Sequence, residues 1–188
     1  PQPDKIILKN LHEVEEYILI HGCQNLQTIT FKNLTKAKSI QIIGCPLLTT
    51  IQLPDLNEVG PYVDGHPYAG LFKIEGNYLL TDLHLSQITE VSSLDIHDND
   101  ALEKIILPQK ITKIMLIVNN QKLENIYGNK TTQLPPYDNT TPTITVQNNK
   151  SNIQFHLLID HLALLLFVLQ FQTLDPEKMI QNLLISIL

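Results

Sequence analysis

The apolar residues of this chain recur in a fixed order at intervals of about 22 residues. In the stretch 38–60, KSIQIIGCPLLTTIQLPDLNEVG, the apolar set is Ile40, Ile42, Leu48, Ile51, Leu53, Leu56 and Val59. Within the short runs these positions alternate by two, the period of a strand with one buried face, and not by the 3.6 of a helix. Gly44-Cys45-Pro46 forms a corner after the first run, and Pro54 closes the second. A single segment of this kind cannot bury its apolar edge, so the pattern predicts stacked copies, each covering the next.

The copies run through two thirds of the chain. Ile6, Leu8, Leu11 and Val14 match Ile29, Phe31, Leu34 and Ala37, which match Ile51, Leu53, Leu56 and Val59. Lys5 to Val14 therefore reads as the back half of a unit, with any preceding cap upstream. Tyr17 to Ala37 is a first full unit, with Ile18, Ile20, Leu26, Ile29, Phe31 and Leu34 inward, and 38–60 a second. After an insertion, a third has Phe72, Ile74, Leu80, Leu83, Leu85, Ile88 and Val91. A fourth has Leu94, Ile96, Leu102, Ile105, Leu107, Ile111 and Ile114, and a fifth, incomplete, has Ile117, Leu123 and Ile126. Gly22, Gly44, Gly76, Asp98-Asn99 and Asn119-Asn120 fall at the matching corners, and these residue types tolerate positive φ. The expected fold is mainly β: a solenoid of about 22-residue coils over residues 1–127, with ladders of Ile and Leu inside.

Two further segments differ in character. Residues 128–152 are rich in Asn, Thr and Pro and read as a stalk or linker where the ladder stops. Residues 153–188 are expected to form hydrophobic C-terminal helices. The run 153–172, IQFHLLIDHLALLLFVLQFQ, is nearly all apolar from Leu162 to Leu169, and Asp175-Pro176-Glu177 is a good helix start. Such a hairpin can cap the open end of the solenoid or attach the chain to a membrane, and the residues do not choose between these.

Composition narrows the partners. The net charge is −6 and the 13 Lys and Arg are scattered, which argues against nucleic acid; the absence of Trp argues against base-stacking platforms. The absence of Trp argues equally against aromatic sugar clamps, which leaves a protein ligand as the simplest class. The insertion Pro61 to Gly70, PYVDGHPYAG, leaves an otherwise regular repeat and carries the candidate contact residues Tyr62, Asp64, His66 and Tyr68. Cys23 and Cys45 fall at the same corner of neighbouring coils. They are either a candidate disulfide stapling two coils or a pair of small unbonded thiols. Sequons stand at Asn33, Asn129, Asn139 and Asn149, three of them in the polar segment.

Candidate chemistry is sparse. Asp95, His97, Asp98 and Asp100 form the densest acidic group, and on a parallel solenoid neighbouring carboxylates can bind calcium or serve as acid and base. Yet Asp98 stands where Gly44 and Gly76 stand, so a turn explains it, and carboxylates do not recur at its register on adjacent coils. His156, Asp160 and His161 are too few for a metal centre. Phosphate loops, nucleophile elbows and zinc-spaced Cys or His sets are missing. The residues give no reason to expect an enzyme, a cofactor or a metal site. The remaining alternative is a polysaccharide-active β-helix enzyme using Asp98 and Asp100.

Leu53-Pro54-Asp55-Leu56 with Val59, then Phe72-Lys73-Ile74-Glu75-Gly76-Asn77 and Leu80-Thr81-Asp82-Leu83-His84-Leu85, resemble the receptor L-domain family over about residues 5–126. Within it the pattern is most similar to fungal GPI-anchored cell-wall organisation and sporulation proteins. Leu107-Pro108-Gln109-Lys110-Ile111 has instead the spacing of surface-type leucine-rich repeats. The resemblance implies a right-handed β-helix-like solenoid, a cell-surface or cell-wall location, glycosylation and no catalysis. The role the resemblance implies is structural, or recognition of a protein or cell-wall glycan by an adhesive, ligand-binding repeat module.

Overall fold

The computed structural model describes residues 3–61, 69–128, 132–134, 144–147, 149–150 and 153–156. The chain winds in short strands: β1 Lys5–Leu8, β2 Glu13–His21, β3 Thr28–Phe31, β4 Lys36–Ile43, β5 Thr50–Gln52, β6 Glu58–Val59 and β7 Leu71–Glu75. It continues with β8 Asp82–His84, β9 Glu90–His97, β10 Lys104–Ile106, β11 Ile111–Val118, β12 Asn125–Tyr127, β13 Ile144–Gln147 and β14 Gln154–His156. All named pairings are parallel. A 7-stranded sheet, in which β6 and β7 share one row, forms one wall, and the opposite side is built from a 3-stranded sheet (β1, β3, β5) and a 4-stranded sheet (β8, β10, β12, β14).

The register follows the repeat. Ile6 pairs with Ile29 and Ile29 with Ile51 on one side, while Ile18, Ile40, Phe72 and Leu94 follow one another on the other. Ile42 lies beside Ile74, and Ile74 beside Ile96. Each apolar residue thus meets its counterpart one strand spacing away, about 4.8 Å. Ile29, Ile40, Ile42, Phe72, Ile74, Leu94, Ile96 and Ile105 are all wholly buried. Burying such side chains contributes roughly 1.5–3 kcal/mol each, which is why the ladder, and not any one coil, holds the fold.

The corners are as the residue types require. Gly22, Gly44 and Gly76 have φ of 66°, 62° and 62°, and Asp98 and Asn119 occupy the same corner with φ of 57° and 58°. The insertion also has a structural place. The first half of β4 pairs with β6 and its second half with β7, so the excursion leaves and returns within a single row. The rows made by β2 and by β11 carry a register shift at the equivalent point, between Val14 and Tyr17 and between Ile111 and Ile114. The loop grows from a place where the ladder is already irregular.

Three expectations are corrected. The ladder does not stop at Gly128: β13, inside the expected stalk, pairs with β11, placing Ile144 beside Met115 and Val146 beside Ile117, both new residues buried. Residues 154–156, assigned to a helix, form β14 and pair with β12. In both cases only three or four residues carry the strand pattern, and the polar sequence before β13 separates it from its predecessor. Ile114, expected inside, is 48 % exposed and Met115 takes the core position, because the register shift displaces it by one residue. The remainder of the expected C-terminal helices, residues 157–188, lies outside the described residues.

Candidate functional site

The outer face of the long sheet carries one dense polar cluster. Alternation puts Phe72 and Ile74 of β7, and Leu94 and Ile96 of β9, into the core, so Lys73, Glu75, Asp95 and His97 face outward. Register places Lys73 beside Asp95 and Glu75 beside His97. Lys73 Nζ lies 2.8 Å from Glu75 Oε2 and 3.4 Å from Asp95 Oδ2. His97 Nε2 lies 3.4 Å from Glu75 Oε2 and 3.7 Å from Asp95 Oδ1, and Nδ1 lies 2.9 Å from Asp98 Oδ2. The next corner residue, Asn119, donates from Nδ2 to Asp98 Oδ1 at 2.9 Å.

These side chains are largely withdrawn from water: 22 % of Lys73, 17 % of Asp95 and 20 % of His97 remains exposed. Desolvation works against the Lys73 ammonium, but its hydrogen bond to Glu75 and the charges of Asp95 and Glu75 outweigh it and raise its pKa. The hydrogen bond with His97, then that from Asn119, hold the Asp98 carboxyl below its ordinary range. Asp95 Oδ1 is buried and accepts no hydrogen bond. Three carboxylates face one ammonium, and one carboxylate oxygen is left without a donor.

Of the acidic group singled out in the sequence, Asp95, His97 and Asp98 do converge, while Asp100 stands exposed in the following turn. Lys73 and Glu75 escaped attention because they are 22 residues away. The repeat itself was the signal, since residues 73 and 75 take the outward positions that 95 and 97 take one coil later.

A second array runs through the corners as an asparagine ladder. Asn77, Asn99 and Asn120, each following a corner residue, are fully buried. Their side-chain oxygens accept the backbone N–H of Cys45, Asn77 and Asn99 at 3.1, 3.0 and 3.1 Å. Their amide nitrogens donate to the carbonyls of Ile42, Ile74 and Ile96, each at 3.0 Å. Asn149 extends the ladder, accepting from Asn120 N at 2.8 Å and donating to Ile117 O at 2.8 Å. The sequon at Asn149 therefore marks a ladder residue with both amide atoms engaged. Asn33 is half-buried and donates to Lys9 O. Asn129 and Asn139 lie outside the described residues, as do Tyr62, Asp64, His66 and Tyr68.

Cys23 and Cys45 take the ladder position in the first two coils. Their thiols are unbonded in this structure, and each donates to the carbonyl two residues back, His21 and Ile43, at 3.7 Å. Burial, with lesser contributions from Cys23, pushes the Cys45 thiol up to about 11. His156 stacks on Tyr127 with ring centroids 4.4 Å apart, and its Nε2 lies 3.1 Å from Asn125 Oδ1. Asp160 and His161 lie outside the described residues.

Comparison with known proteins gives no match to this chain among family models, curated proteins or solved structures.

Proposed function

We propose that the chain is a non-catalytic repeat protein of the cell surface or cell wall, whose solenoid serves structure or recognition. The observation that carries this reading is the continuity of the scaffold. Inward Ile and Leu ladders and the buried asparagine ladder run from coil to coil, so the polar residues of the corners are spent on backbone hydrogen bonds. The sequence resemblance to receptor L-domain proteins points the same way. A rigid stack of parallel strands presents broad faces to a protein or glycan, which suits recognition by area rather than by a cleft.

The adhesive version is favoured by one feature, the place of the insertion. It leaves at Gly60 and returns at Gly70, whose N–H groups donate to Ala37 O at 3.0 Å and Lys38 O at 2.7 Å. Both ends are thereby pinned to the long sheet, in the coil that also contributes Lys73 and Glu75. The test expresses the full open reading frame with an epitope tag and treats intact cells with a non-permeant protease. Loss of the tag signal supports the surface reading, and full protection rejects it. In parallel, the purified chain is incubated with isolated wall polysaccharide. Binding without release of new reducing ends is expected, with loss of binding when 62–68 is replaced by a short Gly-Ser linker. Release of reducing ends that disappears in Asp98→Asn establishes the polysaccharide-cleaving alternative instead.

A further inference from the structure

We propose that Cys23 and Cys45 form a thiol–disulfide exchange site for low-molecular-weight disulfides, in which Cys23 takes the reagent and Cys45 then closes a covalent staple between the first two coils. The site is independent of the surface reading, because its oxidant is the small disulfide itself.

Register brings the two together. β2 and β4 pair as far as His21 with Ile43, and each cysteine follows two residues later. The backbones stay in contact around the corner: Gly22 N–H donates to Ile43 O at 2.9 Å, and a Cβ added at Gly44 would stand 3.9 Å from Gly22 N. In-register residues of neighbouring parallel strands have Cα atoms about 4.8 Å apart, inside the window of about 4.4–6.8 Å that a disulfide needs.

The column they occupy brings side chains together as well. Where it holds asparagine, each side-chain nitrogen lies close to the side-chain oxygen of the next coil: 3.3 Å for Asn77 and Asn99, and 3.2 Å for Asn99 and Asn120 and for Asn120 and Asn149. Both thiols point the same way, each toward the carbonyl two residues back. Beyond its burial, the Cys45 thiol is acted on by the N–H, the charge and the thiol of Cys23. A sulfur is a weak acceptor, so the rung between the first two coils is the weakest of the column. It lies at an end of the solenoid, where β1 and β2 are the last strands of their sheets and Tyr17 and Leu19 are exposed. Terminal elements open most easily, and a covalent link there ties the first coil to the second.

Exposure sets the order of events. Cys23 is partly exposed and Cys45 buried, so the Cys23 thiolate attacks one sulfur of the small disulfide, forms a mixed disulfide and releases one small thiolate. The Cys45 sulfur then attacks the Cys23 sulfur, and the second small thiolate leaves with the Cys45 proton. Two protein thiols are oxidised by two electrons, and one small disulfide is reduced to two thiols.

The experiment incubates the folded 188-residue chain with glutathione disulfide at pH 8, quenches with acid and reads intact mass and tryptic peptides; cleavage at Lys32, Lys36 and Lys38 puts the cysteines on separate peptides. The wild type should become about 2 Da lighter, two hydrogens lost, and yield a linked Cys23–Cys45 peptide pair. In urea, the linked chain should show a folding equilibrium constant raised roughly a hundredfold, reverting with reductant. Cys45→Ser, which keeps a donor and an acceptor in the column, should stop at the glutathione adduct on Cys23, and Cys23→Ser should stay unmodified. Circular dichroism confirms that each variant is folded; if a serine variant is not, the wild-type peptide map decides alone. A wild type that stops at the Cys23 adduct, links only between molecules or keeps both thiols free overturns the proposal. Uptake of glutathione by folded Cys23→Ser overturns the order of attack, and an unchanged urea midpoint in the linked chain overturns the staple.

Discussion

Asn99 Oδ1 accepts the backbone N–H of Asn77, one coil earlier, at 3.0 Å, and Asn99 Nδ2 donates to the carbonyls of Ile74 and His97 at 3.0 and 2.9 Å. One fully buried side chain thereby satisfies three backbone groups at a corner where the strands have parted. Asn99→Ala removes the partner of the buried Asn77 N–H and one donor to the Ile74 carbonyl, while His97 O keeps the Gly76 N–H at 3.2 Å. The expected loss is about 2 kcal/mol, since an unsatisfied buried group costs roughly 1–3 kcal/mol. Urea denaturation measures it. Asn99→Asp should fare no better, because a carboxylate keeps the acceptor and loses the donor; a loss below about 1 kcal/mol in both variants contradicts the ladder's role.

How much of this was legible in the sequence differs from feature to feature. The inward ladder was, because Ile42, Ile74 and their counterparts repeat both spacing and residue class, and the parallel strands set them side by side. The corners were, because positive φ restricts the choice to Gly, Asp and Asn. The asparagine ladder was only half legible. Asn99 and Asn120 stood out as corner residues, but Asn77 and Asn149 did not, and Cys23 and Cys45 were seen to share a corner without the hydrogen bonding that defines it. The last strands were hidden because β13 and β14 are too short for alternation to register. The outward cluster was hidden for another reason: its partners meet across coils, and a scan for carboxylates at equal register passes over a lysine and a histidine that bring unequal registers together.

Gly76 tests the corner. Its φ is +62°, and an added Cβ would meet the Cα and N of Gly44 at 3.7 Å, ordinary contact. Space is available, so the cost of substitution is conformational. Gly76→Val should destabilise by roughly 1–2 kcal/mol or more, the penalty of a left-handed conformation for a branched residue. Gly76→Asn should cost less than half as much, because Asn119 already holds the equivalent corner with φ of 58°. Equal thermal midpoints for the two variants would show that backbone strain does not govern this position.

Cys45 should be chemically quiet. Its thiol is fully buried and titrates at about 11, so at pH 8 only about one molecule in a thousand carries the thiolate that alkylating reagents attack. Iodoacetamide followed by mass mapping should label Cys23, which is partly exposed, well before Cys45. Adding urea to the unfolding midpoint should equalise the two. Because the folded thiol sits above its ordinary value of 9.0, its contribution to stability is complete below about pH 9 and is lost as pH rises toward 11. Cys45→Ala should flatten that alkaline decline, and rapid labelling of Cys45 in the native protein would contradict its placement in the ladder.

Asp98 should govern part of the acid limb. Its carboxyl titrates below its ordinary value of 3.8, first because of the hydrogen bond with His97 and next because of that from Asn119. The unfolded chain therefore takes up this proton at a higher pH than the folded one does. The stabilisation is present above about pH 4 and is lost as pH falls through the depressed folded value. Asp98→Asn keeps the corner conformation, since Asn is equally at home at positive φ, and removes the charge. The variant should show a shallower fall of thermal midpoint between pH 5 and pH 2 than the wild type, with the two curves converging at the acid end. Asn119→Ala, which deletes one of the two hydrogen bonds, should produce part of the same change. Parallel acid limbs in wild type and Asp98→Asn would mean that ionisation of Asp98 adds nothing to the stability of the folded state.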